Sequence, residues 1–226
     1  MRTPARWSCP SLSGPSLVWL FLLAAALPAP AAQLSVRVGD GRHLVADAVV
    51  NVFPADGTAH AAATPVPATA TIDQRDLMFV PHVQVARPGG SAVFRNSDHT
   101  RHHVYSFAPA ATFEMVLGPR ERSRPVPLLE AGVVAIGCNI HDQMIAWLYV
   151  SDAPWLARTG GDGAVAFDAL PPGDYRVVVW HPRLEARDRG IERRVTLDGS
   201  DAVTLDIPLR LRPDVRAQPD PERADY

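Results

Sequence analysis

The sequence has no lysine and little cysteine. All 22 basic residues are arginine, they face 24 acidic residues, and only two cysteines occur among the 226 residues. This slightly negative balance of charge gives no indication of a nucleic-acid partner or of an anionic membrane surface. Neither partner is predicted, and the sequence sets no oligomeric state.

The N-terminal segment carries a targeting pattern. Arg2 and Arg6 precede an apolar core from Leu17 to Leu27, and small residues follow that core. The core is too short to span a bilayer, so the pattern predicts a cleaved export signal over residues 1–31. We therefore expect a periplasmic protein whose mature chain begins near Ala32.

Export would leave the mature chain with a single cysteine. Cys9 would be removed with the signal, and Cys138 could then form no intramolecular disulfide. A lone thiol in an oxidising compartment is reactive unless it is buried or bound to a metal. Cys138 is therefore a candidate metal ligand, and an inert buried thiol is the alternative.

Amphipathic helical spacing is scarce and a period of two dominates, which predicts an all-β protein. Turn-rich segments divide the strands into two β-sandwiches. The arginine-rich GPRERSRP, residues 118–125, is predicted to be a solvated loop. The first strands belong to the second, smaller sandwich or, alternatively, to the sheet of the central one. The expected divisions are a signal over 1–31, first strands over 32–66, a central sandwich over 72–151, the rest of the second sandwich over 152–211 and a disordered tail over 212–226.

The stretch CNIHDQM places Cys138, His141 and Met144 in one tight turn between two predicted strands. Electron-transfer copper sites use two imidazoles and one thiolate in a plane, with a weak axial thioether. The turn supplies one thiolate, one imidazole and one thioether. A glutamine or a carbonyl oxygen could replace Met144 in the axial position.

The second imidazole is expected upstream, where FRNSDHTRHH offers His99, His102 and His103. Side chains alternate across a strand, so only one of His102 and His103 can point to the metal. The residues alone leave the choice between His102 and His103 open, and His99 is expected in a loop. His82 and His181 are predicted to be structural.

Other site chemistries fit the sequence less well. Zinc would need a further thiolate or imidazole, which His103 could supply, because methionine contributes little to a zinc site. Haem attachment would need a CxxCH motif, and a multicopper oxidase would need paired HxH motifs; neither occurs. We expect a protein that is not an enzyme.

Residues from about Met78 to Val150 resemble the cupredoxin family, the small blue copper proteins such as plastocyanin and amicyanin. The CxxHxxM spacing resembles the short ligand loop of amicyanin-like members, and the upstream pattern of Phe94, Asn96, His102 and Val104 is similar to that of the family. The resemblance implies one mononuclear blue copper site with the ligands His102, Cys138, His141 and Met144. It also implies supporting roles for Asn96 and for His103, which stands where the family usually has asparagine.

More narrowly, HHVYSF, GVVAIGCNIHDQM and LPPGDYRVVVWHP resemble the bacterial plastocyanin-like proteins called methylamine utilisation proteins. The flanking strands resemble a carboxypeptidase-regulatory-like or transthyretin-like sandwich. The resemblance implies that single electrons pass between redox proteins that dock transiently near His141. A copper carrier or sensor, and an adhesion module with a structural metal, are the alternatives.

Overall fold

The computed structural model describes residues 32–185, 190–199 and 202–214. The predicted export signal and residues 215–226 of the predicted tail lie outside the described residues. Within them every regular element is a strand, and no helix is long and apolar enough to cross a membrane. The predicted all-β class with more than one sandwich is confirmed. The strands are β1 Ala32–Gly39, β2 Val49–Pro54, β3 Thr69–Arg75, β4 Met78–Val80, β5 Val83–Ala86, β6 Ser91–Asn96, β7 His102–Ala108, β8 Ala111–Leu117, β9 Val126–Pro127, β10 Gly132–Cys138, β11 Ile145–Val150, β12 Trp155–Arg158, β13 Ala164–Leu170, β14 Gly173–Trp180, β15 Ile191–Leu197 and β16 Ala202–Pro208.

Strands β3 to β11 form one sandwich, which we call the inserted sandwich. One sheet has the order β4-β3-β6-β9 and the other the order β5-β11-β10-β7-β8. Alternating apolar side chains of both sheets meet in a core that includes Ile72, Phe94, Ile136 and Leu148, each almost fully buried. The alternation of buried and exposed positions follows from the period of two along a strand.

Strands from both ends of the described chain form the other sandwich, which we call the outer sandwich. Its sheets have the orders β13-β1-β16 and β12-β2-β14-β15. Strand β1 pairs in parallel with β16 from Gln33 opposite Ala202 to Gly39 opposite Pro208. The first strands thus pair with strands that follow the inserted sandwich, and not with its sheets.

A small apolar cluster joins the two sandwiches. Val49, Leu156 and Trp180 of the outer sandwich pack with Val83 of the inserted one, and the Trp180 ring lies 5.8 Å from that of Trp147, edge to face. Burial of this cluster removes apolar surface of both sandwiches from water.

Arg87 forms hydrogen bonds with both segments that connect the sandwiches, residues 55–68 and residues 151–154. Its guanidinium donates hydrogen bonds to the carbonyl oxygens of Ala153, Pro154 and Thr64, the last at 3.2 Å. The amide of Ala63 also donates to the carbonyl of Pro154, at 2.8 Å. The chain therefore enters and leaves the inserted sandwich at adjacent points.

Candidate metal centre

Three donor atoms converge at one end of the inserted sandwich. The Cys138 sulfur lies 3.9 Å from Nδ1 of His102 and 3.9 Å from Nδ1 of His141. All three donors lie within 4.8 Å of one another, and the two imidazole rings are tilted with centroids 5.1 Å apart. The structure thus brings together residues that are 36 positions apart in the chain.

The spacing of these atoms suits a single first-row metal ion. Imidazole nitrogen and thiolate sulfur typically lie about 2.0–2.3 Å from such an ion, which puts two donors of a trigonal plane about 3.5–4.0 Å apart. Within the described chain no further histidine, cysteine or carboxylate joins the three residues. Two imidazoles and one thiolate are the in-plane donor set of electron-transfer copper sites, whereas closed zinc sites use four strong ligands.

Side chains alternate along β7, so His102 and His103 point to opposite faces of the sheet. His102 begins β7 and is fully buried, while His103 faces outward and its Nε2 lies 2.8 Å from a carboxylate oxygen of Glu114. The main chain of His103 still contributes to the site, because its carbonyl accepts a hydrogen bond from the amide of Asn139 at 3.0 Å. The side chain of His102, and not that of His103, therefore reaches Cys138.

Backbone hydrogen bonds close the turn from Cys138 to Met144, which we call the ligand turn. The amide of Cys138 donates to the carbonyl of Met144 at 3.2 Å, and the amide of Met144 donates to the carbonyl of His141 at 3.0 Å. Met144 is 1% exposed, Cys138 5% and His141 6%. The turn thus holds a thiol, an imidazole and a thioether in one buried unit, with Asp142 exposed beside it.

Asn96 organises the loop that leads to His102. Its side-chain amide donates to the carbonyls of Thr100 at 2.8 Å and Leu117 at 3.0 Å, and its side-chain oxygen accepts the amide of Asp98 at 2.9 Å. The side chain is buried and its hydrogen-bonding groups are used. The hydrogen bonds of the Asn96 side chain thus support the site through the backbone of Asp98, Thr100 and Leu117.

Asp98 holds the other nitrogen of the first imidazole. Its carboxylate lies 2.9 Å from Nε2 of His102, and it also accepts the amides of Asp76 at 2.7 Å and Leu77 at 3.2 Å. Asp76 and Leu77 form the hairpin turn between β3 and β4 with φ angles of 53° and 55°, an uncommon conformation for residues other than glycine. The carboxylate thus connects a strand of one sheet to a turn of the opposite sheet.

The role of Asp98 was not predicted from the sequence. An acidic residue four positions before His102, in the quoted stretch FRNSDHTRHH, is the signal that could have found it. Because a carboxylate only accepts hydrogen bonds, Nε2 of His102 carries the proton and Nδ1 faces the other donors.

Electrostatics prepare Cys138 for metal binding. Burial would raise the pKa of its thiol, but the hydrogen bond with His102 and the backbone amides of Ile140, His103 and His141 outweigh burial and lower the pKa from 9.0 to about 6. Cys138 is therefore a thiolate at neutral pH, the form that binds metals.

His102 responds to the same contacts. Burial would lower the pKa of His102, but its hydrogen bonds with Cys138 and Asp98 raise it above the ordinary value. A metal ion that binds Nδ1 of His102 would displace a proton from that nitrogen and leave the Nε2 proton in its hydrogen bond with Asp98.

The remaining histidines lie elsewhere. His99 is exposed in the loop before His102, as expected. His181 is buried in the outer sandwich, and Nδ1 of His82 lies 3.0 Å from the carbonyl oxygen of Ile145. Neither joins the three donors.

Asp98→Asn is expected to weaken metal binding about 10- to 100-fold, the usual cost of removing a carboxylate that orients a ligand histidine. Both carboxylate oxygens of Asp98 accept hydrogen bonds from N–H groups. An asparagine side chain would have to turn its NH₂ group, itself a donor, toward one of these N–H groups. Competition of the protein with a chromophoric Cu(I) chelator measures the change in affinity.

Glu114→Gln is the matched control, because it alters the 2.8 Å imidazole–carboxylate contact between the half-buried His103 and an exposed glutamate. Its affinity should stay within about twofold of the wild type, since exposed ion pairs contribute little. Equal losses in the two variants would contradict a specific role of Asp98.

Comparisons with known proteins find likeness in solved structures alone: no protein-family profile and no curated protein matches the chain. A purple cupredoxin from Nitrosopumilus maritimus matches with 19% identity and a TM-score of 0.33, over 36% of this chain and 99% of its own. A tryptophan-to-tyrosine variant of amicyanin matches with 16% identity and a TM-score of 0.34, over 45% of this chain and 99% of its own. A Cu-containing nitrite reductase from Thermus scotoductus matches with 22% identity and a TM-score of 0.34, over 42% of this chain and 25% of its own. Because these TM-scores are low, the three structures carry no argument about the site. The proposed ligands rest on the distances among His102, Cys138 and His141.

Proposed function

We propose that the protein is a one-electron carrier with a single mononuclear copper of the blue type. The convergence of two imidazoles and one low-pKa thiolate, each Nδ1 being 3.9 Å from the sulfur, is the observation that supports this function. His102, Cys138 and His141 would hold the ion, and Met144 would provide the weak axial thioether. When bound, copper supplies a one-electron couple that the side chains alone do not have.

The chain's own residues would keep the site unchanged between two oxidation states. Asp98 fixes the ring of His102, and the hydrogen bonds of the ligand turn fix Cys138 and His141. Donors that are held in one arrangement need little movement when the charge of a bound ion changes. The buried position of the donors also excludes water.

Burial favours electron transfer over the alternative of copper delivery. A protein that passes a metal ion on must open its ligands to the recipient, whereas His102 is fully buried and anchored on two sides. His141 is the more accessible imidazole, and its neighbour Ile140 is 41% exposed. Electrons would leave through His141 beneath this small apolar surface.

We also propose that the protein is exported to the periplasm, acts without catalysing a reaction and meets redox proteins by transient docking. The pattern of residues 1–31 supports export. The presence of a single cluster of metal-binding side chains within the described residues supports a carrier with one site.

Copper titration with a visible spectrum tests the proposed function. We expect one copper per chain, intense thiolate-to-copper absorption and reversible loss of the colour when ascorbate reduces the protein and hexacyanoferrate(III) reoxidises it. Copper that leaves the protein on reduction would contradict electron transfer and favour delivery. A colourless copper complex would contradict thiolate ligation.

A further inference from the structure

Five exposed arginines lie along one edge of the inserted sandwich. We call this group the arginine strip, and its members are Arg95, Arg101, Arg120, Arg122 and Arg124. Three of them belong to the loop between β8 and β9, for which no role beyond solvation was predicted. The ion pairs found in the described ranges involve none of the five.

Like charges in the arginine strip face each other directly. Arg95 at the end of β6 and Arg122 of the loop form an antiparallel bridge pair, an arrangement in which like charges destabilise a sheet. The carboxylate of Glu121, the acidic residue of the loop, accepts the amide of Gly118 at 2.7 Å. Both guanidinium groups carry a positive charge, so they repel each other. Asp73 pairs with Arg95 on the other side, but its carboxylate is bound to Arg75 and Ser97. An unfavourable pairing that the fold retains is typical of a binding surface.

The arginine strip reaches the metal end of the sandwich. The amide of Arg120 donates to the carbonyl of Asn96 at 2.8 Å, and Asn96 organises the loop that leads to His102. Arg101 directly precedes His102, and Leu117, the last residue of β8, pairs with His102 across the sheet. A partner that contacts the strip would therefore lie beside the three donors.

We propose that the arginine strip is the docking surface for an acidic redox protein, one that presents carboxylates next to its own electron-exchange site. The inference rests on the proposed electron-carrier function. Opposite charges steer such partners together and raise association rates while leaving the complex short-lived. A nucleic acid is the other polyanion to consider, but residues 118–125 contain no aromatic side chain on which a base could stack.

Two small redox probes of opposite charge test this surface on the copper-loaded, reduced protein. Hexacyanoferrate(III) and tris(phenanthroline)cobalt(III) each accept one electron and leave the protein oxidised. We expect the rate with the anionic probe, divided by the rate with the cationic probe, to be higher at low ionic strength than at 1 M salt. In the triple variant Arg95→Gln, Arg122→Gln, Arg124→Gln this ratio at low ionic strength should fall about tenfold, and at 1 M salt, where the Debye length is about 3 Å, the variant and the wild type should give the same ratio.

The matched control removes three exposed arginines of the outer sandwich: Arg42→Gln, Arg193→Gln and Arg210→Gln. It has the same net charge as the strip variant, and its rate ratio should stay near that of the wild type. The strip variant should also be no less stable than the wild type, because it removes the repulsion between Arg95 and Arg122.

Equal rate ratios in the strip variant and in the control would overturn the docking surface while leaving the carrier function intact. Tight binding of a duplex oligonucleotide at physiological salt, lost in the strip variant, would overturn the assignment to an acidic protein. Failure of the wild type to exchange electrons with either probe would overturn the proposed function and, with it, this inference.

Discussion

Cys138→Ser is expected to remove the visible absorption of the copper-loaded protein completely and to leave the fold intact. The absorption arises from charge transfer between a thiolate and copper, and a serine hydroxyl at this position stays protonated at neutral pH. Cys138 makes no covalent contribution to the fold, because it is a free cysteine at the end of β10. Visible absorption and circular dichroism of the same sample measure the two properties.

Two neighbouring histidines provide the matched comparison for this prediction. His102→Gln should also lose the colour, because Nδ1 of His102 lies 3.9 Å from the sulfur, whereas His103→Gln should keep it, because that ring contacts Glu114 instead. Colour retained in His102→Gln and lost in His103→Gln would contradict the site. Copper-thiolate absorption that persists in Cys138→Ser would exclude the whole ligand set.

The second large effect concerns acid stability, through a histidine that is not one of the proposed metal ligands. His181 directly follows β14 and is buried. Its Nδ1 accepts a hydrogen bond from the amide of Arg183 at 3.1 Å. Burial lowers the pKa of His181 from 6.5 to about 4; the charges of Arg183 and His82 add to this effect, and Asp47 and the carbonyl of Ala46 oppose it. Folding therefore favours the neutral ring.

The sign of the pH dependence follows from this depressed pKa. Above pH 6.5 the ring is neutral in both the folded and the unfolded chain, and stability is complete. As the pH falls from 6.5 to 4, the unfolded chain binds a proton that the folded chain does not, and the free energy of unfolding decreases by roughly 3 kcal/mol.

Urea denaturation of the metal-free protein at pH 7 and at pH 4 measures this loss. His181→Asn keeps an acceptor for the amide of Arg183 but removes the titrating ring, so its stability should depend less steeply on pH, by about the same 3 kcal/mol. Groups such as His102 and Cys138 titrate in both proteins and do not affect the difference. Parallel pH profiles of the two proteins would refute the assignment to His181.

The strand periodicity and the ligand spacing could be recognised in the sequence because both are local. Alternation along β7 decides which of His102 and His103 faces inward, and Cys138, His141 and Met144 are close in the chain before any sheet forms. The divisions at 66, 72, 151 and 211 stay a prediction, and so does the ligand set.

Other features depend on contacts between distant segments. The hydrogen bonds of Asp98 need the turn at Asp76 and Leu77, which belongs to the opposite sheet. The pairing of Arg95 with Arg122 needs the loop to run back along β6. Local sequence patterns carry no information about such partners, and hydrophobic periodicity leaves the choice of neighbouring strand open.

The pairing of β1 with β16 has a consequence for the order in which the strands fold as the chain emerges with its N-terminus first. Arg37 of β1 and Asp206 of β16 are hydrogen-bonded although 169 residues separate them, and all strands of the inserted sandwich are translated in between. The nascent chain can close the inserted sandwich, with its three donors, while β1 still has no partner on that side. One edge of β1 therefore stays unpaired until β16, the last strand of the described residues, has emerged.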